Sequence, residues 1–325
     1  MQVVDNIKAP IRNEMKEFQG YFKRSMKTEV PLLNVILQYL LKRKGKQMRP
    51  MFVFLSAKLF REEVEESTYT AASLIELLHT ATLIHDDVVD ESFVRRGFFS
   101  LNALWKSKIS VLVGDYFLAK GLLLSVEHKA YAILEIVSRA VKDLSEGELL
   151  QTQKSRKLNI TEEEYFKIIR KKTAALIAAC TAAGAQSAGV SDEHVEQLYQ
   201  FGIYVGIAFQ IKDDLFDYQR KGNIGKPVGN DIKEKKITLP LIHALEQATA
   251  AEKKSILRIV KRHNKNAKKV NCVIDFVEKK GGLDYASRQM TSYIDKGLTI
   301  LDQFPDTPAK ESLIALTRYV VTRKK

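Results

Sequence analysis

The sequence predicts an all-α fold, on three observations. Apolar residues recur at helical spacing almost from end to end, and few stretches alternate with the period of two that a half-buried strand requires. Glycine (16) and proline (7) are scarce for 325 residues, which argues against a turn-rich all-β chain. Helix-start signals also recur along the chain.

In chain order, KLFREEVEES (58–67) reads as a turn. STYTAASLIELLHTATLIH (67–85) is apolar nearly all round, the pattern of a buried helix. SEGE (145–148) has capping-box spacing and either opens a helix or lies within a longer one. TEEEYFKIIRKKTAALIAAC begins with Thr161 at the N-cap and Glu164 three residues on, a capping box. Thr173–Val190 is the longest uncharged run and touches the length of a membrane span. Its Ala, Gly, Thr, Ser and Gln make it a core helix packed through small residues, so no transmembrane segment is expected. RKGNIGKPVGND (220–231) is the clearest loop, and its glycines suit a mobile lid. Thr307-Pro308 reads as an N-cap followed by proline in the first helical position. No Pro-, Gly- or Ser-rich linker divides the chain, so a single domain over 1–325, of roughly ten or more helices, is expected.

Cys180 and Cys272 have no partner spacing, which fits a reducing cytoplasm and gives neither a disulfide framework nor a zinc site. The N-terminal segment MQVVDNIKAPIRNEMKEF lacks the apolar core of a signal peptide. A formal charge of +13 asks for an anionic partner. KRHNKNAKK (261–269) and the terminal TRKK read as solvated basic surface, and without interleaved aromatics they do not suggest nucleic-acid binding.

One acidic pattern occurs twice. HDDVVD holds Asp86, Asp87 and Asp90, and KDDLFD holds Asp213, Asp214 and Asp217; both read D-D-x-x-D. On a helix, positions i and i+4 share a face, so Asp86 points with Asp90 and Asp213 with Asp217. Like charges at that spacing destabilise a helix. Apolar neighbours such as Leu83, Ile84, Phe209 and Ile211 make them costlier to bury. Solvated helix ends would not explain the recurrence in apolar surroundings. Carboxylates without His or Cys favour a hard cation, Mg²⁺ or Mn²⁺, and Mg²⁺ is commonly held by one or two carboxylates plus substrate phosphates. Basic residues supply the other half of a diphosphate grip: Lys46 and Arg49 in GKQMRP, Arg95 and Arg96, Lys172, Lys226 and Lys236. Singly each reads as a surface charge. With two Asp clusters they suggest a site for two phosphorylated substrates.

The ordered set GKQMRP, HTATLIHDDVVDESFVRRG, LVGDYFLA, KKTAAL, FQIKDDLFD and GKPVGNDIKEKKITLP resembles the trans-isoprenyl diphosphate synthases, most like the long-chain octaprenyl-type members, over nearly the whole chain. The resemblance implies a single helical bundle around a deep central cavity, the isoprenoid synthase fold, and a homodimer. It makes Asp86, Asp90 and Asp213 direct ligands of three Mg²⁺ ions, with Mn²⁺ as a substitute, and places Asp87, Asp214 and Asp217 behind them. Arg95, Lys172, Lys226 and Lys236 would hold the allylic diphosphate, and Thr173 and Gln210 would lie near the reacting carbons. Gly45, Lys46, Arg49, His79 and Arg96 would hold isopentenyl diphosphate. The implied reaction is Mg²⁺-assisted ionisation of the allylic substrate followed by attack of isopentenyl diphosphate. The product is a polyprenyl diphosphate delivered to a membrane.

A class I terpene cyclase is disfavoured because its second metal motif normally mixes Asn, Ser or Thr with Glu. A non-catalytic subunit of a heteromeric synthase would tend to lose the Asp clusters kept here. Product length turns on residues just before Asp86, since helical side chains lean toward the N-terminus. Members with short products carry large aromatics at the fourth and fifth positions before the first Asp; here these are Thr82 and Ala81. Leu77 and Leu78 lie one turn deeper, with Ile133 and Val137 as far-wall residues. A long-chain product is expected, with a geranylgeranyl or farnesyl product as the alternative. Small residues at 81 and 82 would equally serve close helix packing.

Overall fold

The computed structural model describes residues 2–42, 46–95, 97–219 and 229–323. It is all-α, as the sequence predicts. The only strands among the described residues are β1 (Val94–Arg95) and β2 (Phe98–Phe99), a minimal antiparallel hairpin that turns at Gly97 with φ 81°. The chain forms two compact units. The first comprises Met1–Arg139, Ala179–Tyr199 and Phe304–Leu313; the second comprises Ala140–Ala178, Gln200–Gln303 and Ile314–Lys325.

The helices up to the hairpin are α1 (Gln2–Ile7), α2 (Arg12–Ser25), α3 (Pro31–Leu41), α4 (Met48–Ala57) and α5 (Glu66–Val89). α6 (Leu101–Glu127) follows it. All belong to the first unit. α5 is buried on most sides along Thr68–Leu78, as its all-round apolarity requires. α6 runs antiparallel to it. A Cβ built on Gly114 would meet His85 Nε2 at 2.2 Å, and one on Gly121 would meet Leu74 Cδ1 at 3.1 Å. Ile36 and Leu37 of α3, Leu77, Ala81 and Ile84 of α5, and Val113, Phe117 and Leu124 of α6 form one buried cluster. By length and composition α6 could cross a membrane. Its buried side instead packs on α5, while Val111, Leu112, Leu122, Leu123 and Val126 form an exposed apolar stripe. The sequence pointed to Thr173–Val190 as the run of membrane-span length. The structure makes most of it a buried helix, α9 (Ala175–Ser187).

The remaining helices are α7 (Tyr131–Lys157), α8 (Glu162–Ile169), α10 (Asp192–Tyr218), α11 (Asn230–Lys233), α12 (Leu239–Glu246), α13 (Ala250–Arg262), α14 (Ala267–Lys279), α15 (Gly282–Leu301) and α16 (Pro308–Thr322). A five-residue π-helical turn, Arg170–Ala174, joins α8 to α9. Both bonds of the Thr161/Glu164 capping box form, and the Thr307 hydroxyl accepts from Lys310 N at 3.1 Å. SEGE lies inside α7, where Ser145 donates back to Val141 O at 3.1 Å instead of capping a new helix.

Gly184 marks a close backbone crossing in the first unit: a Cβ there would meet Val53 O at 2.3 Å and Ser56 Cβ at 2.9 Å. Alanine would gain about 1 kcal/mol in helix propensity. Prising α9 from α4 costs about 1–3 kcal/mol, so the clash wins. Gly184→Ala should lower the urea midpoint at an unchanged slope; an unchanged or raised midpoint would show that the two backbones can part freely.

Candidate active site

The first D-D-x-x-D closes α5. Asp90 is the C-cap, and its N–H donates to Asp86 O at 2.8 Å, so the i, i+4 pair shares a face to the very end of the helix. Glu76, His79, Leu83, Asp86 and Asp90 trace the partly open side of α5. Asp87, about 100° away, is buried at 5% exposure. Ala81 and Leu77 are wholly buried in the cluster with α3 and α6, and Leu78 is 5% exposed. Thr82 is half-buried and donates to His79 O at 2.9 Å. Val137 and Ile133, both buried, lie on α7. Lys46 is exposed just before α4, and Arg49 is half-buried in its first turn. Gly45, Arg96 and Lys226 lie outside the described residues, as does the side chain of Arg95 and nearly all of the expected lid.

The second motif closes α10 in the second unit, and each aspartate has a different partner. Asp213 pairs with the guanidinium of Arg323, which also lies 4.0 Å above the Phe209 ring. Asp214 is buried at 3% exposure and accepts from Tyr165 Oη at 2.6 Å and from Gln210 Nε2 at 2.8 Å. Gln210 Oε1 in turn accepts from Thr173 Oγ1 at 2.7 Å. Asp217 accepts from the backbone N–H groups of Asn230 and Asp231, each at 2.9 Å, and so holds the start of α11. Burial and the nearby Asp231 push Asp214 up to about 8, against the pull of its two hydrogen-bond donors.

Lys172 and Thr173 stand on the π-helical turn, a distortion often found at functional sites. Glycines clamp this turn from two sides. A Cβ on Gly147 of α7 would meet Lys172 N at 2.7 Å, and one on Gly206 of α10 would meet Ala174 Cα at 2.4 Å. Lys172 donates to Gln151 at 2.8 Å and pairs with Glu148; Lys171 bridges Asp143 and Glu146, each at 2.6 Å. Burial lowers the basicity of Lys236, but Glu234, Asp231 and Glu148 outweigh it and hold the amine above its ordinary value. Lys172, Thr173, Gln210, Asp214, Asp231 and Lys236 converge on one cavity of about 120 Å³.

Sequence reasoning missed four members of this site: Tyr165, Gln151, Asp231 and Arg323. Gln151 lies just beyond SEGE, Asp231 lies within GKPVGNDIKEKKITLP with no role assigned to it, and Tyr165 has the look of an ordinary apolar-face residue. Arg323 belongs to TRKK, which the sequence suggests is a solvated tail. It is instead only 14% exposed in its side chain, because Phe209 and Asp213 supply a stacking face and a countercharge.

All the acidic donors are oxygen ligands. Among the described residues no three Asp, Glu, His or Cys side chains converge on one point. Such a donor set fits Mg²⁺, which takes one or two carboxylates and completes its shell from phosphates and water.

These features define an all-α protein that gathers acidic and basic side chains around one cavity. The polyprenyl synthetase family model matches residues 30–277, and the chain belongs to that family. It is a prenyltransferase. The octaprenyl diphosphate synthase of Escherichia coli is 37% identical over 92% of each chain. The decaprenyl diphosphate synthase structure from Rhodobacter capsulatus aligns with a TM-score of 0.92 at 34% identity, covering 99% of each chain. A geranylgeranyl pyrophosphate synthase from Bacteroides thetaiotaomicron aligns with a TM-score of 0.84 at 38% identity, covering 99% of this chain and 100% of that one.

The raised Asp214 carries a pH dependence. The folded protein keeps a proton that the unfolded chain releases near pH 4, so this group's contribution falls as pH rises from about 4 to about 8. In metal-free protein, urea unfolding of wild type should lose stability relative to Asp214→Asn across that window. A pH-independent difference would place the titration elsewhere.

Proposed function

We propose that the chain condenses an allylic prenyl diphosphate with isopentenyl diphosphate and extends it to a long-chain all-trans polyprenyl diphosphate. The observation that carries this reading is the pair of D-D-x-x-D motifs closing α5 and α10, with Lys172 and Lys236 on the same cavity as Asp214. Asp86, Asp90 and Asp213 would hold the metal, three Mg²⁺ ions or Mn²⁺ in their place. A relative from Caulobacter crescentus, 34% identical with a TM-score of 0.90, is described as complexed with calcium and isoprenyl diphosphate, which supports a divalent-ion site. The metal would supply Lewis acidity on the leaving diphosphate.

The chain's own groups do the rest. Lys172 and Lys236, with Arg95 and Lys226, bind the allylic diphosphate. Lys46, Arg49 and His79, with Gly45 and Arg96, bind isopentenyl diphosphate. Thr173 and Gln210, locked to each other, orient the wall beside the reacting carbons. Apolar walls keep water from the developing allylic cation, and the departing diphosphate accepts the proton.

The exposed stripe on α6 supports a homodimer, since an apolar face of this kind is normally covered. Cys180 and Cys272 are not joined in a disulfide, which supports a reducing cytoplasm. The chain acts as one functional domain over 1–325. A shorter product is favoured by one observation, the packing of Ala81 into the cluster with Phe117 rather than along an open wall.

Asp86→Ala and Asp213→Ala should each cut turnover on the order of 10²–10³ while leaving the fold intact. Near-normal turnover at saturating Mg²⁺ in either folded variant would remove the metal assignment. For chain length, Ala81→Phe should stop elongation at farnesyl or geranylgeranyl diphosphate, read by chromatography of dephosphorylated products. An active variant with unchanged product would assign Ala81 to helix packing alone.

A further inference from the structure

Residues 253–274 carry eight Lys or Arg and no Asp or Glu, more than half of the chain's excess of thirteen cations. The segment spans most of α13 and α14 and the short turn between them. Ile256, Ile259 and Val260 on one helix, and Val270, Val273 and Ile274 on the other, are buried. All eight cations are exposed. Lys261 and Arg262 suit the last turn of α13, but Lys268 and Lys269 stand in the first turn of α14, the end where the helix dipole disfavours a cation. Such a concentration points to an anionic partner.

The tip of this helix pair is fixed to the wall of the diphosphate cavity. Asn264 Nδ2 donates to Lys233 O, at the end of α11, at 2.5 Å. A Cβ built on Gly229, just before α11, would meet Val270 Cγ1 at 2.3 Å. α11 carries Asp231, which lines the cavity, and Asp217 holds its first N–H groups. The cationic face and the cavity therefore share α11 as a common element.

A polyprenyl product has an anionic head and a chain that water does not solvate, so it must pass to a lipid phase. We propose that the α13–α14 tip docks on anionic lipid headgroups and sets the cavity beside the bilayer surface. This rests on the polyprenyl product proposed above. Nucleic acid is the poorer fit, because 253–274 contains no Phe, Tyr or Trp on which a base could stack.

The test is co-sedimentation with vesicles of phosphatidylcholine, alone or with roughly one-third phosphatidylglycerol. The full chain should bind the anionic vesicles only and come off as salt screens the charges. Combined Lys261→Gln, Arg262→Gln, Lys265→Gln, Lys268→Gln and Lys269→Gln should weaken that binding at least about tenfold, with vesicle-free turnover unchanged. The pair Lys268→Gln and Lys269→Gln, which relieves the unfavourable charge in α14, should weaken it less and gives a second, conservatively altered protein. Absence of anionic-vesicle binding, equal binding by the variants, or displacement from vesicles by stoichiometric RNA would each overturn the proposal. Failure of the enzymatic reading would show separately, as a wild-type chain that makes no prenyl product in the vesicle-free assay.

Discussion

Two long helices end in carboxylates, and the end of a helix is where a carboxylate is least welcome. The unpaired carbonyls there form the negative pole of the helix dipole, and each motif adds two acids one turn apart. Only cations or hydrogen-bond donors can hold such groups together. The second unit shows three solutions side by side: an arginine ion pair at Asp213, a phenol and an amide at Asp214, and two backbone N–H groups at Asp217. Each brings in a distant part of the chain, so the end of α16, the capped α8 and the start of α11 all gather around the close of α10. In the first unit Asp87 is buried, while Asp86 and Asp90 stay on the partly open face.

The basic half of the site depends on close backbone packing. The π-helical turn offers Lys172 and Thr173 from a short arc, and it fits between α7 and α10 because Gly147 and Gly206 present no side chain to it. The acids of α7 then take up the two lysines separately: Asp143 and Glu146 engage Lys171, whereas Glu148 with Gln151 engages Lys172. Adjacent lysines thereby acquire different jobs, one bracing the turn and the other meeting the cavity.

Features fixed by short-range chemistry were legible in the sequence. The Thr161/Glu164 box, the Thr307 cap, the buried α5 and the two aspartate motifs each depend on residues within a turn or two. What escaped depends on long-range encounters. Arg323 meets an aspartate 110 residues away, and no local pattern announces that this arginine will be largely covered. Asp231 matters because Asp217 grips its backbone, which spacing alone does not reveal. SEGE matched a cap by composition, yet the helix before it simply continued. The membrane-length run was sought among uncharged residues and so missed α6, whose apolar stretch is interrupted by Asp115 and Lys120.

The hydrogen bonds behind Thr173 run in one direction. Its hydroxyl proton is committed to Gln210, the Gln210 amide protons turn toward Asp214, and Tyr165 donates to Asp214 from the other side. The donors of Thr173, Gln210 and Tyr165 in this relay all point toward the buried Asp214 side, leaving Thr173 to show the cavity its lone pairs. A surface of that kind repels oxyanions and attracts electron-poor carbon. On the function proposed above, the same handful of bonds that settles a buried acid would sort a guest by polarity, turning its phosphate end away from this patch of wall and its incipient positive charge toward it.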